Sequence, residues 1–425
     1  MNSQPRRGFL KSLLGAGASA AFAPMPLARS ASWHRVLDTA TAQTPDEHFW
    51  ELVANQFPIR SGYVMMNAAN LCPAPYPVID AVERLTRSLD GDVSFQNRAK
   101  FNGLREEARQ RVAAHVGANP NEIALTRNTS EGNNTVVNGL ELGSGDNVVI
   151  WDQNHPTNNV AWDVRAERHG FTVTRVRTPD EPKTAEDLVQ PFAEALSPGT
   201  KAMAFSHVSN VTGITLPARA LSELARARGV STLVDGAQAM GVLALDLHDL
   251  GCDFYTASSH KWLLGPKEAG VLYVRGDRVS DLWAMNVGVG WQSALEHGAQ
   301  KFDVLGQRDD ACVAAVGTAM ELHQAIGADR VEARVRAIVD ALKVQLRSQV
   351  PGMRFQPEVD SSMSAGVLIC IPPRGDIDTM YEALYRDHHI ASAKRGIGIR
   401  LSPHIYNTMA QVARVADAFA DVIPT

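Results

Sequence analysis

The chain has 425 residues, enough for two or three domains. Hydrophobic residues make up 45% and charged residues 20%, and a net charge of -5 gives no footing for nucleic acid or an anionic membrane surface as partner. The four cysteines, at 72, 252, 312 and 370, form no CxxC pair, so neither a zinc knuckle nor a disulfide framework is indicated.

The first 32 residues read MNSQPRRGFLKSLLGAGASAAFAPMPLARSAS. Arg6, Arg7 and Lys11 precede an Ala- and Gly-rich run too short and too weakly apolar for a membrane-spanning helix. The order RRGFLK resembles a twin-arginine signal, the bacterial address of proteins exported already folded. Residues 1–31 are therefore expected to be a signal peptide, cut near 23–31, that brings the export machinery as a partner and a periplasmic location. The mature form is expected to carry no membrane span. Folded export also suits an enzyme that takes up a cytoplasmic cofactor before it leaves.

From about residue 120 strands and helices alternate. EIALTRN is a strand, followed by a polar turn and a helix through NNTVVNGLEL. Next come the strand NVVIWDQ, the helix TNNVAWDVRAERHG closed by Gly170, and the strand TVTRVRT. The helix AEDLVQPFAEAL leads to the strand KAMAFSHVS. ARALSELARARG is an amphipathic helix with Leu221, Leu224 and Ala225 inward, ending on Gly229. STLVD, CDFYTAS and AGVLYVR are further strands. This alternation predicts a mainly parallel sheet covered by helices on both faces, with ligands at the carboxyl ends of its strands. After about residue 310 two helical segments cover 311–349, then MRFQ, AGVLICIPP, the helix IDTMYEALYRDH, one glycine-rich strand KRGIGIRLS and a last helix from about 408. The expected division is a large domain over 45–310, whose segment 45–70 belongs on the small-domain side, and a small α+β domain over 311–425.

Five clusters fall just past strand ends: RNTSEG (127–132), DQNHPTNN (152–159), SHVSNVTG (206–213), VDGAQ (234–238) and SSHKW (258–262). Thr129 and Ser130 stand before a helix, where free amides and the positive helix end suit phosphate, although for this cluster alone plain N-capping is the favoured reading. Asp235 ends an apolar strand, a costly place for a carboxylate without a cationic partner. Ser258 and His260 flank Lys261 with donors, and His155 is either a capping residue or a flat ring for stacking. Together these describe what pyridoxal phosphate requires: a Schiff-base lysine, an acid at the pyridine nitrogen and a phosphate cup.

The stretch VDGAQAMG…CDFYTASSHKWLLGPKEAGVLYVR resembles the signature of class V aminotransferases, a branch of the fold-type-I pyridoxal-phosphate transferases. GIRLSPHIYNT (398–408) resembles the C-terminal motif of their isopenicillin N epimerase-like members, and the likeness covers roughly 60–420. The resemblance implies that Lys261 carries the cofactor and shuttles protons, and that Asp235 pairs with the pyridine nitrogen. It implies that Gln238 bonds the ring oxygen with Asn210 near it, and that His155 stacks on the ring. Ser258, His260 and the amides of Thr129, Ser130, Glu131 and Gly132 are to hold phosphate, and Arg400 a substrate carboxylate. Lys267, beyond the Gly-Pro turn, reads as solvated. A homodimer is implied as well.

Two departures stand out. Family members often have Gly-Thr where this chain has LGQRDD (305–310), so Gln307 replaces a threonine that reaches the neighbouring subunit's phosphate. Cysteine desulfurases of the class need a mobile cysteine near the C-terminal arginine loop; none lies between 371 and 425, and Cys370 reads as the inside of a strand. Transamination or epimerisation of an amino-acid or peptide-like substrate is the expectation, and a class V enzyme with a twin-arginine signal also resembles periplasmic siderophore-tailoring enzymes, a resemblance that implies action on a siderophore side chain. The alternatives are a lyase or desulfurase-like activity, or a non-catalytic binding protein, which would be expected to lack Lys261 or Asp235. A nicotinamide dehydrogenase would want GxGxxG after the first strand, and metal catalysis finds no HExxH.

Overall fold

The computed structural model describes residues 46–424; the segment 1–31, expected to be a signal peptide, lies outside them. Helix α1 (Glu47–Ala54), capped by the Asp46 carboxylate, leads into the short strand β1 (Val64–Met65). Helices α2 (Tyr76–Gly91) and α3 (Lys100–His115) follow, the first opened by prolines that need no amide partner.

The large sheet then forms by strand and crossover. Its elements are β2 (Ile123–Thr126), α4 (Thr129–Gly139), β3 (Asn147–Trp151), α5 (Pro156–His169), β4 (Thr172–Val176), α6 (Glu186–Ala195), β5 (Thr200–Ser206), α7 (Ala218–Ala227), β6 (Ser231–Asp235), β7 (Phe254–Ser258) and β8 (Gly270–Val274). The strand order is β2-β8-β7-β6-β5-β3-β4, and β8 alone runs against its neighbours. The central strands read as continuous apolar runs because both faces are covered. Val149, Met203, Val234 and Tyr255 face α3, α6 and α7; Val148, Ala202, Leu233 and Phe254 face α4 and α5.

Beyond it, α8 (Asp310–Ile326) packs on α2 and α3, and α9 (Ala328–Gln349) leads to a second sheet. That sheet holds β9 (Arg354–Gln356), β10 (Leu368–Ile371), β12 (Ala393–Arg395) and β13 (Gly398–Leu401) in the order β12-β13-β10-β9, all antiparallel. Helix α10 (Ile377–Arg386) precedes β11 (Ile390–Ala391), which pairs with β1, and α11 (Met409–Val422) closes the chain. The N-terminal strand is thus bonded to the C-terminal part.

Two sequence expectations are corrected. The turn expected before the helix at 133 is helix already: Asn128 caps α4 by accepting from the Glu131 amide, so Thr129 and Ser130 lie in the first turn. KRGIGIRLS is a hairpin of two strands and not one, because Gly396, with φ +53, reverses the chain between Arg395 and Gly398.

Candidate active site

The carboxyl ends of β2, β3, β5, β6 and β7 open into one cleft of about 270 Å³, and each of the five clusters contributes to its wall. Lys261 is carried by the turn after β7. Ser259 stitches that turn, its amide and hydroxyl both donating to the Ala269 carbonyl, while the Gly265 amide donates to the Ser259 carbonyl. Leu264 is held at φ +57, a strained conformation for a branched residue, and its buried side chain in the core over-determines it. From the other domain the buried His404 donates from Nε2 to the Trp262 carbonyl at 2.9 Å. The tautomer is fixed because His404 Nδ1 accepts from the Ile405 amide. The motif that carries Arg400 therefore also clamps the residue next to Lys261.

Asp235, only 3% exposed, ends β6. Its Oδ2 accepts from Asn133 Nδ2 at 2.9 Å and its Oδ1 from the Ala237 amide at 3.0 Å. Asn133 is oriented in turn by the Thr256 hydroxyl, which donates to its Oδ1 at 2.6 Å. Among the described residues no cation lies within ion-pair distance of this buried carboxylate. Lys261 stands across the cleft with no hydrogen-bond partner among them either. Burial, first, holds its amine below the ordinary lysine value, Asp235 opposes this, and Arg400 adds to it.

The other expected residues are distributed as follows. Trp262 Nε1 donates to Gln238 Oε1 at 2.8 Å, which turns Gln238 Nε2 towards the Ala69 carbonyl at 2.9 Å and leaves it one hydrogen for a ligand. His155 caps α5, Nδ1 accepting from the Thr157 amide at 3.3 Å, with its ring exposed at the mouth. Burial, then Lys261, lowers its pKa, so it is neutral near pH 7. Ser258 Oγ lies 2.8 Å from the Thr129 amide and 2.7 Å from its hydroxyl, and burial pushes His260 down to about 4. Ser130, His260 and Asn210 line the cleft. Glu131 and Gly132 do not join them. The Glu131 carboxylate turns back on Arg127 and its amide is spent on the cap; the Gly132 amide is spent on the Asn128 carbonyl.

Arg400 is 1% exposed on β13. It donates to the Asn210 carbonyl at 3.2 Å and to Asn67 Oδ1 at 3.1 Å, while its Nε has no partner. Burial pulls its pKa down to about 9. Gln307 lies outside the cleft and accepts from Arg98 at 2.7 Å; Lys267 is exposed. Asn133, Thr256 and His404 went unread in the sequence. Asn133 is one helical turn past Thr129, so it becomes legible only once α4 is seen to start at Thr129.

These donors fit one group. A buried carboxylate lacking a cation and an amine without a hydrogen-bond partner among the described residues line one cleft, with hydroxyls and a helix N-terminus in its wall. That set suits a protonated pyridine ring, a carbonyl and a phosphate on one molecule. The aminotransferase class-V family model matches residues 64–415, and the chain belongs to that family. Its cofactor is pyridoxal 5′-phosphate. The isopenicillin N epimerase of Amycolatopsis lactamdurans is 31% identical over 395 residues, covering 88% of this chain and 98% of the relative. A probable cysteine desulfurase of Methanothermobacter thermautotrophicus is 26% identical over 403 residues, covering 88% and 98%. Among solved structures, a C-DES variant with glycine covalently linked to its PLP cofactor matches with TM-score 0.78 at 23% identity, covering 89% of this chain and 100% of that one. The fold is thereby that of the pyridoxal-phosphate enzymes.

The bound cofactor supplies an electron sink for charge developing at a substrate carbon. Asp235 would hold a proton at the ring nitrogen of that group, its carboxylate kept aimed by the Asn133 donor. With that group bound, Lys261 would be placed to carry it and to move a proton at the substrate carbon, and Arg400 would suit a substrate carboxylate.

Proposed function

We propose that this protein is exported to the periplasm as a folded homodimer and there epimerises or transaminates an amino-acid or peptide-like substrate, a siderophore side chain being the leading candidate. The observation that carries the amino-acid reading is the buried Arg400 with its unpartnered Nε beside Lys261: it suits a molecule presenting an amine and a carboxylate together. Epimerisation is favoured by the epimerase relatives from Amycolatopsis lactamdurans and Streptomyces clavuligerus. Desulfuration is the second reading, favoured by the desulfurase relatives. Against it stand the thiols. Cys72, Cys252 and Cys370 are buried, burial pushes the Cys72 thiol up to about 12, and Cys370 lies in the small-domain core. The β12–β13 turn beside Arg400 carries no cysteine. The homodimer is supported by exposed apolar side chains on one segment, Trp283 at 70% and Val287 at 65%.

Incubating the holoenzyme with amino acids and siderophore precursors in deuterated water separates these readings. Deuterium at Cα with inversion marks an epimerase, a 2-oxo acid a transaminase, and sulfide from cysteine a desulfurase. If no amine-bearing carboxylate alters the visible spectrum, the amino-acid reading is wrong.

A further inference from the structure

In the β12–β13 hairpin Ala393 pairs with Arg400 and Arg395 with Gly398. Paired and alternate positions share a sheet face, so Arg395 and Arg400 are diagonal neighbours, about 7–8 Å apart in backbone position and within reach of long side chains. The face they share is the one turned to the large domain. Ile369, opposite Arg400, packs with Trp262 and Tyr406, whereas Ile399 and Leu401 belong to the core behind the sheet. Lys394, the residue before Arg395, points the other way, to Asp378. Arg395 therefore stands on the sheet face that carries Arg400, and its charge is felt both by Arg400 and by His155 in the cleft wall.

Two like charges side by side need an anion. Other buried arginines have one: Arg109 pairs with Asp303 and Arg334 with Glu47. Among the described residues neither Arg395 nor Arg400 has a carboxylate in ion-pair range. The half-buried Arg395 donates from Nη1 to the Lys394 carbonyl at 2.8 Å, which neutralises nothing. One substrate carboxylate on Arg400 leaves the second guanidinium uncompensated. We infer that the substrate carries a second carboxylate, distal to the reacting amino-acid centre, and that Arg395 receives it. This rests on the amino-acid reading above and adds a substrate class to it: dicarboxylic amino acids, or peptide-like molecules with an acidic group near that centre.

The test titrates the visible band of the holoenzyme with L-alanine, L-glutamate and L-2-aminoadipate. Arg395→Ala is expected to weaken the dicarboxylates about ten- to a hundred-fold, the worth of one charge-assisted bidentate contact, and to leave alanine within about twofold. Arg395→Lys should recover part of the loss, and Arg395→Glu should turn the preference towards L-lysine. Equal loss for alanine and glutamate would mean that both arginines grip one carboxylate, and unchanged glutamate binding would mean that Arg395 is merely solvated; either result overturns the inference. A band that responds to no amino acid in the unaltered protein instead removes the amino-acid reading, and this inference with it.

Discussion

Lys261 and Asp235 act through their surroundings. Burial and Arg400 disfavour the charge on the lysine and hold its pKa below the ordinary value, while Asp235 favours that charge. Only the neutral amine can bond covalently to the cofactor's carbonyl. The rate of cofactor capture by the apoprotein should thus rise with pH, with a midpoint below the 10.5 of ordinary lysine. Arg400→Leu removes a lowering charge and should move that midpoint up; Asp235→Asn removes a raising one and should move it down. Stopped-flow absorbance over a pH series reads all three. Asn133→Ala withdraws the side-chain donor to the Asp235 Oδ2 and is expected to weaken cofactor affinity about tenfold or more in an equilibrium titration. The residues that carry these charges were legible in the sequence, since a lysine beside histidine and an aspartate at a strand end are costly without a job. The neutral groups that aim them were not: an asparagine inside a helix looks the same whether it faces solvent or a carboxylate.

At the scale of elements, α4 must lie close on β7 for Asn133 to reach both Thr256 and Asp235. Gly132 makes the approach possible. A Cβ there would sit 2.9 Å from Thr256 Cγ2, on a β-branched side chain with little freedom to move. Gly132→Ala should cost about 1–3 kcal/mol in denaturant unfolding. Adding Thr256→Ser, which deletes the offending methyl and keeps the hydroxyl on Asn133, should restore most of it. Full additivity of the two changes would show that the methyl is not the obstacle. The alternating strands and helices of the large sheet were readable because buried parallel strands are apolar runs bounded by glycine and polar turns. The start of α4 and the β12–β13 hairpin were not, for both are set by one residue, Asn128 as cap and Gly396 as turn, against an otherwise unchanging polar or glycine-rich background.

The whole molecule joins its two ends around the cleft. β1 pairs with β11, the Ala69 amide donates to Ser402, and Arg400 donates to the Asn210 carbonyl at the cleft wall. No apolar periodicity announces such contacts, because they join residues far apart in sequence, 333 positions for Ala69 and Ser402 and 190 for Arg400 and Asn210. The junction also buries histidines. His404 is held down at about 4 and His323 well below its ordinary value, both by burial, and His207, just past β5, is likewise held at about 4. A depressed folded pKa means the unfolded chain binds more protons between about 6.5 and 4, so stability should fall with pH through that window, by about 1.4 kcal/mol per unit for each histidine. Urea melts from pH 7.5 to 4.5 measure the slope, and a flat profile would contradict the burial. Light scattering should give twice 46.0 kDa if the exposed segment around Trp283 meets a second copy.

Most directly at stake is that Lys261 holds the cofactor across from Asp235. Borohydride reduction of the yellow holoenzyme, followed by proteolysis and mass mapping, should place the reduced pyridoxyl group on the peptide containing Lys261, and Lys261→Ala should abolish the label. A label on Lys267 or any other lysine, or an undiminished label in the Lys261→Ala variant, would contradict it.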